Sequence, residues 1–281
     1  MVNILNIPMR IITLEAIHHF IEDTGVKRIH FETSHKHALK RTPNAAYYGC
    51  LQLPFIESIN PILTSCGYPL FTSLFGGYWR CINNEDEYNA IEKFIDKYNS
   101  VVFLRDCLDV SLALSMNIIS EDDGRTHLGE LEYQAKYRHN QDAENILKEE
   151  CNKWIHILPF YASADYICAM PSKQSEDSLP HRIVASLTDC RFENISQSVY
   201  WQTKEKEVKS AKTVEEKLDI LLNSNLVITD DVNIQNKTVV LFDDLYMSGV
   251  SMQYVGMKLK ERGARQVLGL TIVKSRSNTT L

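Results

Sequence analysis

The chain has no Cys-x-x-Cys pair, no basic excess, no glycine-rich loop of the Walker or dinucleotide type, and no nucleophile elbow. Each absence removes a class. Seven dispersed cysteines (50, 66, 81, 107, 151, 168, 190) read as reduced, mostly buried thiols rather than a disulfide framework or a paired zinc site. Lys+Arg 30 against Asp+Glu 36 leaves a net charge of −6, which argues against bulk nucleic-acid binding. Met1 to Arg10 shows no charged start followed by an apolar run and a small-residue cleavage site, so a cytoplasmic protein is expected. Ser58 to Trp79 carries no charge, but Asn60, Pro61, Gly67, Pro69, Gly76 and Gly77 suit loops and short strands, and no membrane span is expected. Internal repeats and low-complexity tracts are also missing.

What is there is the composition of an ordinary globular protein: 281 residues, 44% hydrophobic and 23% charged. At about 100–200 residues per domain, this length allows two domains. Ile11–Asp23 is expected to be a helix followed by Gly25, and Val26–Glu32 a strand. Tyr88, Ile91, Ile95 and Tyr98 recur at helical spacing within Glu85–Tyr98, and the apolar run 101–104 suits a buried strand. The polar Asp122-Asp123-Gly124 turn places a division there, giving an N-terminal α/β domain over 1–120 and a second domain over 121–281. In the second, a helix is predicted over 142–156, a strand over 165–170, a helix opened by Pro180, and a helix around Val214, Leu218 and Leu221. Strand 238–242, turn 243–250, helix 251–262, Gly263 as cap and strand 266–273 imply a parallel sheet with a right-handed crossover.

The chemistry concentrates in that last unit. The apolar run Val239–Phe242 ends at Asp243 and Asp244, and ligands of open α/β sheets bind at the carboxyl ends of strands. The following Ser248-Gly249-Val250-Ser251 turn opens a helix, whose free N–H groups and positive end form a phosphate cradle. Gly249 has no side chain to keep an anion away from the backbone. Carboxylates beside an anion cradle suit a sugar phosphate, whose hydroxyls donate to carboxylates while its phosphate needs donors.

This segment resembles the phosphoribosyl pyrophosphate (PRPP) motif of type I phosphoribosyltransferases, in which an apolar strand, an acidic pair and a Thr/Ser-Gly-x-Thr/Ser loop occur in this order. Lys258–Val267 resembles the family's helix and following strand, and Gly129-Glu130-Leu131-Glu132-Tyr133-Gln134-Ala135-Lys136-Tyr137 resembles a stretch of its ComF-like branch. The resemblance covers about residues 125–281. It implies an α/β chain whose C-terminal part is a parallel-sheet, Rossmann-like phosphoribosyltransferase domain, beside a separate N-terminal α/β domain. It also implies that Asp243 and Asp244 contact the ribose hydroxyls and that Met247, Ser248, Gly249, Val250 and Ser251 surround the 5-phosphate. Pro171, Ser172 and Lys173 fall where the family has its pyrophosphate loop, 199–236 matches the hood over the site, and Lys136 and Tyr246 are further candidates. Mg²⁺ is implied with PRPP, held through substrate oxygens and waters. The implied reaction is transfer of phosphoribose to a nitrogen acceptor, with an oxocarbenium-like transition state that needs positioning more than a strong base. Met247 stands where a small or hydroxylated residue is usual, Tyr246 is bulky, and the Cys-x-x-Cys finger of typical ComF proteins has no counterpart here.

Blander readings stand beside these. Asp243 and Asp244 suit a helix start, Ser248 and Ser251 are ordinary N-caps, and Pro-Ser-Lys loops are common. Lys136 suits a charged helix face, and the lysines from 204 to 212 alternate with acids as in a solvated segment. His35-Lys36-His37 would place both imidazoles on one face of a strand, but without an acidic or cysteine partner no metal site is expected. Two rival functions remain: a PRPP or nucleotide sensor without turnover, and an effector of a multi-protein defence or toxin system whose residues 1–115 dock a partner.

Overall fold

The computed structural model describes residues 7–42, 46–74, 76–120, 124–172, 178–203 and 211–276. Lys173, Asp122, Asp123 and the lysines at 204, 206 and 209 lie outside the described residues. In chain order the first elements are α1 (Leu14–Glu22), β1 (Arg28–His30), β2 (Leu39–Arg41), β3 (Gly49–Leu53), α2 (Ile59–Ser65), β4 (Phe71–Thr72), β5 (Tyr78–Ile82) and α3 (Glu85–Lys97). Then come β6 (Val102–Leu104), β7 (Val110–Met116), β8 (Ile118–Ser120), β9 (Gly124–Arg125), α4 (His127–Tyr137), α5 (Gln141–Ile157), β10 (Tyr166–Ala169) and α6 (Leu179–Val184). The chain continues through β11 (Glu193–Asn194), β12 (Val199–Trp201), α7 (Val214–Asn223), β13 (Leu226–Ile228), β14 (Thr238–Tyr246), α8 (Val250–Glu261) and β15 (Gln266–Lys274).

Side-chain caps set the helix starts where the sequence supplies them. Thr13 accepts from Ala16 N–H, Asn84 from Glu87 N–H, and Thr213 and Glu216 form a reciprocal capping box. Gly263, at φ +92°, ends α8 as expected, because only glycine enters that region without strain.

The main sheet has seven strands in the order β1-β6-β7-β15-β14-β10-β11. β7, β15, β14, β10 and β11 run parallel, while β6 is antiparallel to both of its neighbours. This is the mixed α/β architecture expected, with two helical layers. Val240 and Phe242 of β14 pack in a core that holds Ala135, Leu147, Cys151, Ile155 and Ile183 of α4, α5 and α6. Val239 and Leu241 pack in a second core with Ile17 of α1, Leu221 of α7 and Val255 and Leu259 of α8. The alternation follows the two-residue period of a strand covered on both faces.

The division expected at 120/121 runs through a continuous sheet. Val110 pairs with Leu268 and Ser115 with Val273, so strands from both sides of that boundary share one hydrogen-bonded ladder. The N-terminal strands outside it form an antiparallel sheet, β2-β3-β5-β4, packed on the first core through Leu51, Leu53 and Ile82. The start of the described chain is tied to the main sheet: Gln266 Nε2, at the start of β15, donates to Ile7 O at 2.9 Å, and Arg10 N–H donates to Asp109, just before β7, at 2.7 Å. Among the described residues no helix is long and apolar enough to cross a membrane.

Candidate functional site

The chain leaves β10 through α6 to reach β11 at the sheet edge, whereas β14, on the other side of β10, continues through α8 to β15. The connections therefore diverge between β10 and β14, and a crevice at the carboxyl ends of such strands is where open α/β sheets take ligands. Asp243, Asp244, Pro171 and Ser172 lie at this place.

β14 is longer than the sequence pattern predicts. It runs to Tyr246 instead of ending at Phe242, so both aspartates belong to the strand and not to the turn. Pairing with β15 extends the strand, because Leu245 and Tyr246 stay in register with Val273 and Lys274. Asp243 is half-buried, and its Oδ1 accepts from Asp244 N–H at 2.9 Å. Asp244 is 6% exposed and forms an ion pair with Lys136 Nζ at 2.7 Å, from the last turn of α4.

Glu132, one helical turn before Lys136, lies 3.7 Å from the same ammonium and is 3% exposed. Its Oε1 is buried with no hydrogen-bond partner among the described residues. Burial, and then the nearby Asp244 charge, push the Glu132 carboxyl up to about 7. Burial alone would lower Lys136, but attraction and hydrogen bonding to Asp244 outweigh it and hold the ammonium above its ordinary range. α4 reaches this position because Gly129, near its start, packs against the Asn117 backbone, which a Cβ would overlap.

The turn after β14 is built around Gly249. Its φ is +72°, and a Cβ there would overlap the Tyr246 hydroxyl, so both backbone and space demand glycine. Tyr246 is buried beneath the turn and donates to Asp106 Oδ2 at 2.9 Å, which makes it a support of the loop rather than a ligand contact. Val250 begins α8 with its side chain buried, leaving only its N–H to offer. Ser248 and Ser251 are half-buried and Met247 is 50% exposed. Among the described residues no side chain caps α8, so the N–H groups of its first turn can bind an anion.

On the β10 side, the Pro171 carbonyl accepts from Trp201 Nε1 at 2.8 Å, and Ser172 Oγ is buried without a partner among the described residues. Trp201 belongs to β12, which pairs with β13 as a small antiparallel ribbon within 199–236. Sequence reading missed the Trp201 bond and the part played by Glu132. The spacing of Glu132 and Lys136 at i and i+4 is the local signal that could have linked those two.

No family model matches the chain, and no curated protein matches it. Among solved structures, a hypoxanthine phosphoribosyltransferase from Staphylococcus aureus is similar over 48% of this chain and 69% of its own, at 14% identity and a TM-score of 0.32. A hypoxanthine-guanine phosphoribosyltransferase from Bacillus anthracis is similar over 49% and 73%, at 13% identity and 0.32. A purine phosphoribosyltransferase from Pyrococcus horikoshii is similar over 48% and 82%, at 14% identity and 0.27. Likeness at this level transfers no residue role.

Proposed function

We propose that the chain binds PRPP with Mg²⁺ in the crevice between β10 and β14 and transfers its phosphoribosyl group to a nitrogen acceptor. The observation that carries this reading is the left-handed Gly249 turn and uncapped helix α8, directly after a strand that carries two carboxylates near its carboxyl end. The N–H groups from Met247 to Ser251, with the Ser248 and Ser251 hydroxyls, would hold the 5-phosphate. Asp243 would accept from a ribose hydroxyl, and Asp244 from the second once Lys136 yields. Ser172 Oγ, beside Pro171, would face pyrophosphate, and Lys173, next in sequence, is the candidate to neutralise it. Mg²⁺ would be held through PRPP oxygens and waters, and half-exposed Asp243 would accept from those waters. Bound, the ion supplies positive charge against the pyrophosphate.

In the reaction, the ribose C1–O bond to pyrophosphate breaks, a C1–N bond forms, and the acceptor nitrogen loses its proton. The ComF-like placement rests on the 129–137 stretch, whose Lys136 meets Asp244. A second reading, binding without turnover, is favoured by the same ion pair, which occupies one of the two carboxylates.

The test is calorimetric titration of PRPP, with and without Mg²⁺, against wild type, the Asp243→Asn single variant and the Asp243→Asn/Asp244→Asn double variant. Mg²⁺-dependent binding weakened at least about 100-fold in the double variant is expected, given two lost carboxylate hydrogen bonds at about 1.5–3 kcal/mol each. Wild-type affinity in the double variant would falsify the assignment. Pyrophosphate release on adding nitrogen bases separates turnover from binding alone.

A further inference from the structure

A cavity lies away from this crevice, where the turn after β1 meets the four-stranded sheet. It has a volume of about 630 Å³, within the range of small-molecule sites. Thr33, Ser34, His35, Lys36 and His37 form one wall, and the backbone of Gly76 and Gly77 lies opposite. Lys40 and Gln52 complete it from β2 and β3. The His35-Lys36-His37 triplet expected on a strand thus lies in a turn, since β1 stops at His30.

Among the described residues the lining contains no carboxylate. Lys36 and Lys40 are exposed, and neither enters an ion pair among the described residues. Burial, and then the nearby Arg28 charge, hold His35 below its ordinary range, and Lys36 and Lys40 bring two ammonium groups to the lining. The amide of Gln52 adds a neutral donor, while the Thr33 and Ser34 hydroxyls bond to His30 and His35 and hold the turn. Such a lining is matched to an anion carrying more than one charge.

The neighbouring sheet surface adds a second property. Gln52 pairs with Trp79, and Trp79 with Phe71, so these side chains share the outward face; Lys40 joins them through its pairing with Cys50. Phe71 is 59% exposed and Trp79 36%, with Tyr47 edge-on to the Trp79 ring at 6.5 Å. Exposed aromatic rings beside a basic pocket are the pairing by which proteins stack a nucleobase and hold its phosphates.

We propose that this cavity binds a nucleoside polyphosphate, with the phosphates at Lys36 and Lys40 and the base against Trp79 and Phe71. The site is distinct from the PRPP crevice. β1 stands four strands from β14, roughly 19 Å at the usual spacing. Its ligand is independent of the reading given above for that crevice.

The experiment is calorimetric titration of ATP and of inorganic tripolyphosphate, without Mg²⁺, against the full chain and three variants. Wild type binds both probes. Lys36→Ala/Lys40→Ala weakens both at least tenfold. Trp79→Ala weakens ATP several-fold and leaves tripolyphosphate unchanged. Asp243→Asn/Asp244→Asn leaves both unchanged. The proposal is overturned if wild type binds neither probe, if the lysine variant binds as tightly as wild type, or if the aspartate variant alone loses binding. Equal losses of both probes in Trp79→Ala would remove the base from the assignment. Should the double lysine variant fail to fold, Lys36→Ala at the exposed turn carries the same comparison.

Discussion

Replacing Glu132 with glutamine removes a charge and keeps the shape, so it isolates what ionising this carboxyl costs the fold. Burial and the Asp244 charge move the group from the ordinary 4.5 to about 7. Each pH unit corresponds to about 1.4 kcal/mol, so the ionised side chain costs the native state about 3 kcal/mol relative to the protonated one. Between 4.5 and about 7 the folded protein holds a proton that the unfolded chain has released. Wild-type stability contributed by this group is therefore complete below that window, falls as pH rises through it, and is level above it. Glu132→Gln has no proton to lose. Its stability should match wild type near about pH 4.5 and exceed it by about 3 kcal/mol at about pH 8. The attraction to Lys136 at 3.7 Å is already contained in the value of about 7. Urea unfolding of both proteins, followed by circular dichroism from about pH 4.5 to about 8, measures the difference. A gap that stays constant across this range, or narrows with rising pH, refutes the reasoning.

Gly249→Ala places a side chain where φ is +72° and against the buried Tyr246 hydroxyl, so a loss of about 2–3 kcal/mol is expected in urea unfolding. An unchanged midpoint would mean that the turn adapts freely. Lys274 is 2% exposed, and burial with the Arg28 charge lowers its ammonium from 10.5 to about 7. Between those values the unfolded chain holds the extra proton, so stability should rise with pH across the window in wild type and rise less in Lys274→Met. Parallel curves for the two proteins would contradict this. Trp201→Phe removes the Nε1 bond to Pro171 O while keeping an aromatic ring beside Tyr254, and should cost about 1 kcal/mol and weaken PRPP binding. Full PRPP affinity in that variant would separate the ribbon from the crevice.

Much of the local structure was legible before any coordinates. The helices now found at 14–22, 85–97, 141–157 and 250–261 follow from apolar spacing and caps, and their ends fall within a few residues of expectation. Strand 266–274 and the Gly263 cap follow for the same reason, since both rest on neighbours in the chain. The strand-turn-helix bearing Asp243 to Ser251 was also legible, because its chemistry is contiguous. Less was legible where a partner lies far away. β14 runs four residues past its apolar stretch because β15 pairs with it, and no local period carries that information. Glu132 gains its significance only where Asp244 and Lys136 come beside it.

The sequence by itself determined the helices now found at 14–22, 85–97, 141–157 and 250–261, the parallel β14-α8-β15 unit, and the placing of carboxylates ahead of a Ser-Gly-Val-Ser turn. Those are properties of periodicity, of backbone freedom at glycine and of residues within a few positions of one another. Only the tertiary structure decided that strands from 28–116 and 166–274 build one sheet, that Lys136 neutralises Asp244, and that Tyr246 supports the turn. It also decided that Lys36, Lys40 and Gln52 border one cavity beside an exposed tryptophan. Long-range pairing joins residues separated by loops of any length, and the burial that raises the Glu132 carboxyl arises only once those surfaces have met.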